Sequence, residues 1–218
     1  DLPKYSVLVS GLESWSPAGR EEIHEPRLVE KLRRVLSAAD LRLCSPPIDP
    51  DDPGATPTGI TAWQFPEWFI TQDWVDCGQG PDVRSRMLVH RLALDRGKVE
   101  DSNRKKHSVV PVRFVRACRK GHIGDINWFS FVHGPGKNCK RQLWIDEHGT
   151  SGDLAEVWIR CECGDRRAMS QAARIELRAL GNCQGDRPWL GPFSKESCGE
   201  PNRLLVRTAS NAYFPQTM

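Results

Sequence analysis

The sequence predicts an α+β fold: short antiparallel strands, several helices, and loops stapled by zinc. Three observations carry that reading. Short β-branched and aromatic runs recur between turns rich in Gly and Pro. Three stretches keep apolar residues at helical spacing instead. Six of the eight cysteines fall from Cys118 to Cys198, with His122 and His133 among them, as loops closed on a metal require.

Tyr5 to Ser10 has strand character and stops at Gly11. From Pro26 to Ala39, residues Leu28, Leu32, Val35, Leu36 and Ala39 share one helical face, with Pro in the first turn and Glu25 at the positive end of the dipole. Cys44 to Gly59 contains five prolines and reads as a linker. The run QFPEWFITQDW that follows is acidic beside its aromatics, which favours packing over base stacking. Arg84 to Leu94 alternates as a strand does, and Asp95 to Lys106 reads as a polar connection. Val109 to Val115 is a strand with Pro111 near its start, an edge position. Asp125 is the expected cap of a short helix through His133 with Ile126, Phe129 and Val132 on one face. Leu143 to Asp146 and Leu154 to Ile159 form a hairpin leading into Cys161. Asp165 is expected to cap a helix over 166–180 with Met169, Ala172, Ala173, Leu177 and Leu180 inward, and Leu204 to Arg207 to close the fold as a strand. Composition divides the chain into a strand–helix segment over 1–43, a Pro-rich and aromatic connection over 44–106, and a basic Cys/His domain over 107–218.

Charge is unevenly spread. Arg104 to Arg141 holds ten Lys or Arg against the single acid Asp125, a local +9 within a chain of net +3. A basic segment inside an otherwise acidic chain makes phosphates its expected partner. The candidate contacts are Arg113, Arg116, Arg119, Lys120, Lys137, Lys140 and Arg141, although strand alternation places Arg113 and Arg116 on opposite faces. A basic face that docks an acidic protein surface is the competing reading.

Cys161 and Cys163 are separated by one residue and followed by Gly164, which frees the backbone to aim both sulfurs at one metal. Cys183 and Cys198 are one source of the other two ligands, giving a closed, structural zinc site. Cys118 and Cys139 are a rival source, and Cys118, His122, His133 and Cys139 are a possible site of their own. Cys44 and Cys77 lack partners at ligand spacing and read as buried thiols. Irregular spacings and the lack of a leader favour reduced cysteines in a cytoplasmic protein, and no apolar run is long enough to span a membrane. GxxxxGK[ST], GxGxxG, GxSxG and HExxH are all absent, so an independent ATPase or common hydrolase is not expected. Asp125, Asp146, Glu147, Glu156 and Asp165 show no spacing that would gather them at a catalytic ion.

The string VPVRFVRACRKGHIGDINWFSFVHG, with CECGDRRAMSQA, CQGDRPWLG, RTASNAYFP, GLESW, HEPRL and FPEWF, resembles the DrmB family of the bacterial DISARM phage-defence systems. The resemblance covers nearly all of this chain and the earlier part of a longer family member. It implies a non-catalytic accessory subunit acting beside DrmA, a superfamily 2 helicase-like ATPase, and engaging DNA with it. It departs from the family pattern at DWVDCG, where Cys77 stands alone.

Overall fold

A computed structural model describes residues 6–10, 21–48, 51, 54, 59–80, 82–149, 152–191 and 193–207. Its described strands are all antiparallel. A seven-stranded sheet runs β11(Arg166–Ala168), β10(Val157–Cys161), β9(Leu143–His148), β4(Val83–His90), β3(Trp68–Thr71), β6(Lys106–Pro111), β5(Lys98–Glu100). A three-stranded sheet runs β12(Arg203–Val206), β7(Phe114–Ala117), β8(Ile123–Gly124), and β1(Val7–Ser10) pairs with β2(Thr61–Gln64). Three helices accompany them: α1(Pro26–Leu36), α2(Trp128–His133) and α3(Ser170–Ala173). The fold is therefore mostly antiparallel sheet, with less helix than the sequence predicts. Strands from both sides of residue 107 share the large sheet.

The main core is shared between the large and small sheets. Ile70, Leu88, Leu143, Ile145 and Ile159 from one sheet meet Phe114 from the other, with Trp128 and Phe131 of α2 wedged against them. The chain passes from one sheet to the other between β6 and β7, which makes this possible. The apolar run from Val109 is not one strand: β6 ends at Pro111, whose missing N–H suits a strand end, and β7 starts in the other sheet. Pro111 thus stands at the end of its strand and not at the start.

Several predicted elements are displaced for identifiable reasons. The 95–106 connection contains β5, because buried Val99 gives the short strand an anchor. Asn127, not Asp125, caps α2 through its Oδ1 to the Ser130 amide at 3.0 Å. Asp125 instead accepts the Glu67 amide at 3.0 Å, joining α2 to β3. The predicted 166–180 helix breaks into β11, α3 and a 3-10 turn over Ile175–Leu177. Pairing with β10 takes 166–168 into the sheet, and Met169 is fully buried at its end. α1 keeps its predicted start, but its apolar face is uncovered: Leu28 is 43% exposed and Val35 70%. Tyr5 and the GLESW motif lie outside the described residues.

Candidate metal centres

The two ends of β7 and β12 define the first cluster. Their register places Arg203 opposite Ala117, so the chain just before β12 lies beside the chain just after β7. Cys118 begins a tight turn closed by Cys118 N–H to the His122 carbonyl at 3.0 Å and Gly121 N–H to the Cys118 carbonyl at 3.1 Å. Facing it, residues 182–201 fold back on themselves through bridges at Asn182–Pro201 and Asp186–Lys195. Cys118, His122, Cys183 and Cys198 thereby bring four ligand atoms within 4.8 Å of one another. Gly185 is needed here for two reasons. Its φ is +75°, and a Cβ would fall 1.7 Å from the Glu196 carbonyl oxygen.

The second cluster forms at the C-terminal end of β10. Cys161 pairs with Leu143 in register, which brings the approach to β9 and its Cys139 alongside Cys161 and Cys163. α2 packs on β10 and β11 and delivers His133 at its last residue. His133, Cys139, Cys161 and Cys163 also lie within 4.8 Å of one another. The Cys139 and Cys161 sulfurs are 3.6 Å apart, far beyond a disulfide bond, and all eight cysteines are free. Four ligands on a tetrahedral ion with metal–sulfur bonds of about 2.3 Å would place sulfurs about 3.8 Å apart. The clusters have that scale.

Both imidazoles are oriented as metal ligands are. His122 turns Nδ1 toward Cys118 Sγ at 3.3 Å and ties Nε2 to Glu196 Oε1 at 2.6 Å. His133 turns Nε2 toward Cys163 Sγ at 3.3 Å and donates from Nδ1 to the Phe129 carbonyl at 2.8 Å. In each ring one nitrogen faces sulfur while a second group fixes the other, an arrangement that sets the tautomer of a coordinating histidine.

Backbone amides favour thiolate at these sulfurs. Lys120 N–H reaches Cys118 Sγ and Gly185 N–H reaches Cys183 Sγ, each at 3.3 Å. Burial opposes ionisation of Cys118, but amides of the turn outweigh it and the thiol falls to about 7. The Asp165 amide brings Cys163 to about 7 as well. Burial, with an anionic neighbour, pushes Cys183 up to about 11 and Cys161 to about 12. Each cluster therefore pairs one thiol that ionises readily with one that burial keeps neutral. A divalent cation removes that conflict, since it favours every sulfur in the anionic form.

The expected grouping of Cys161 and Cys163 with Cys183 and Cys198 does not occur: the structure parts these pairs between two clusters. Neither Cys118 with Cys139 nor His122 with His133 shares a cluster. The ligands are nested along the chain, the outer pairs closing one centre and the inner pairs the other. Cys44 is exposed, not buried, and Cys77 accepts a hydrogen bond from Arg160 Nη2 at 3.1 Å. Sequence reasoning missed Glu196, for which one acid in ESCGE beside a ligand was the available signal.

The basic residues divide into three groups. Arg116 pairs with Asp186 at 2.6 Å and Lys137 with Asp165 at 2.5 Å, so both serve the scaffold. Arg119 and Lys120 project from the Cys118–His122 turn and Lys140 and Arg141 follow Cys139, all four exposed. Arg113 lines a cavity elsewhere. Of the five nominated carboxylates, Asp146 meets Arg160 at 2.5 Å and Asp165 meets Lys137, while Glu147 and Glu156 line one cavity away from both clusters. No described helix is long and apolar enough to cross a membrane.

Residues 1–214 match the family described as Domain of unknown function (DUF8724). The chain is also similar to the DISARM protein DrmB of Bacillus paralicheniformis, at 26% identity over 211 residues. That match covers 96% of this chain and 35% of the relative, so the chain spans about a third of the relative's length.

Proposed function

This chain belongs to the DUF8724 family, and from that membership and its likeness to DrmB we propose that it is a zinc-stapled, non-catalytic component of a DISARM-type phage-defence assembly. The observation that carries the reading is the pair of Cys3His clusters, each with its histidine tied at the nitrogen that faces away from sulfur. Zinc suits three thiolates and one imidazole at tetrahedral spacing. Such a set leaves no ligand position open for water, so the ions would hold structure and not activate a nucleophile. The first would bind β7, β8 and the 182–201 segment together; the second would bind α2 to the β9–β10 hairpin.

In this reading the chain acts beside a helicase-like ATPase of the DrmA kind and steadies DNA for it in the cytoplasm. Each stapled loop presents two exposed cations, Arg119 and Lys120 at one and Lys140 and Arg141 at the other, suited to phosphates irrespective of sequence. Replacing all four by Gln in the full-length protein, assembled with its ATPase, should weaken DNA binding and flatten its salt dependence by about 0.9 per lost contact. Unchanged DNA affinity with loss of complex assembly would favour a second reading, an interaction scaffold that never touches DNA. The uncovered apolar face of α1 is the observation on that side.

A further inference from the structure

Away from both metal clusters, a cavity of 450 Å³ opens between β4, the β6–β7 bend and the β9–β10 turn. Arg84, Arg86 and Arg113 form one wall, over a floor that includes Ile70 and Val157. Elsewhere Arg116 pairs with Asp186, Arg160 with Asp146 and Arg187 with Glu196, although the Nε atoms of Arg187 and Arg203 are buried without a partner. The three cavity arginines make no ion pair or side-chain hydrogen bond among the described residues, and Arg86 Nε is buried without a partner. Even Glu147, opposite Arg84 in register, stands outside ion-pair range.

Their positions are nevertheless fixed. The Arg86 guanidinium lies 3.9 Å over the Trp74 ring, and Val75 N–H to the Ser85 carbonyl at 2.8 Å holds that ring beside β4. Arg113 lies 4.8 Å over Phe114. Stacking occupies the flat face of a guanidinium and leaves its in-plane N–H donors free, the edge that recognises phosphate oxygens. Glu147, beside Arg84 in register, lines the cavity too, as do Asp153 and Glu156. A long polyanion would meet repulsion there, whereas hydroxyl or amine donors would be accepted.

We infer that this cavity binds a single nucleotide unit, its phosphate on Arg84, Arg86 and Arg113 and a sugar or base donor toward Glu147. The volume lies within the range of small-molecule sites. A free mononucleotide and the phosphorylated end of a single strand carry the same chemistry. The inference is independent of the zinc and DNA-steadying roles, since it uses neither the cluster residues nor the exposed loop cations.

The test is calorimetric titration of the metal-loaded full chain with AMP and with a 5′-phosphorylated pentanucleotide. Saturable one-to-one binding is expected, weakened at least about tenfold by Arg86→Gln or Arg113→Gln, the loss of one charge-assisted contact. Arg84→Gln, at an exposed position, gives the same direction without risk to the core. AMP binding alone identifies a free nucleotide as the ligand; mutual competition identifies the strand end as an equivalent source. The quadruple Arg119, Lys120, Lys140 and Arg141 variant should leave AMP affinity unchanged, which separates this site from the DNA-steadying surface. Failure of both probes to bind saturably, or equal affinity in all three arginine variants, overturns the inference.

Discussion

Asp125 shows how a single side chain couples stability to pH in this fold. Burial pushes its carboxyl from 3.8 up to about 6, against the hydrogen bond from the Glu67 amide and the charges of Arg116 and Arg207, with the Glu67 carboxylate adding to the rise. The folded state therefore holds this proton more tightly than the unfolded chain, and stability from this group falls as pH rises from about 4 to about 6. Two units correspond to about 3 kcal/mol. Asp125→Asn keeps an acceptor for the Glu67 amide and removes the titration. Its stability relative to the parent should rise by roughly 2–3 kcal/mol between pH 4 and pH 7 in denaturant melts. A difference independent of pH would contradict the assignment. Gly185 is the other decisive residue, because the Glu196 carbonyl occupies the space of any Cβ. Gly185→Ala should release metal from the first cluster while the second keeps its own, read by metal content per chain.

At the scale of elements, β10 carries the heaviest duty. It pairs with β9 and β11, ends in Cys161, and presents Arg160 to the buried Asp146 at 2.5 Å. Arg160→Met would leave Asp146 uncompensated and should destabilise the fold by about 3–5 kcal/mol in chemical denaturation. Removing metal should act elsewhere: amides of the Cys118–His122 turn and of 182–202 should exchange faster, with β4 and β9 still protected. The β9–β10 hairpin and α1 were legible in the sequence because local turn chemistry and periodicity decide them. The 166–180 helix was not. Its apolar spacing is genuine, yet strand pairing by 166–168 and the anchoring of Met169 override it, leaving helix only at Ser170–Ala173. The two cationic residues of β4 on the cavity wall, Arg84 and Arg86, follow strand alternation and were readable only once the opposing surface was known.

For the whole molecule, topology sets what the centres are. The ligand types were readable from Cys and His content, but their partition depends on β12 returning to β7, a pairing between residues far apart in the chain. Such contacts leave no local signal, so adjacent ligands looked like natural partners and nested ones did not. Two independent Cys3His centres should each hold one zinc ion. Native mass spectrometry of the intact chain tests it most directly. Two zinc ions per chain are predicted, with Cys198→Ser and Cys139→Ser each losing one and the double variant losing both. One zinc per chain lost equally in Cys163→Ser and Cys198→Ser, or none at all, would contradict it.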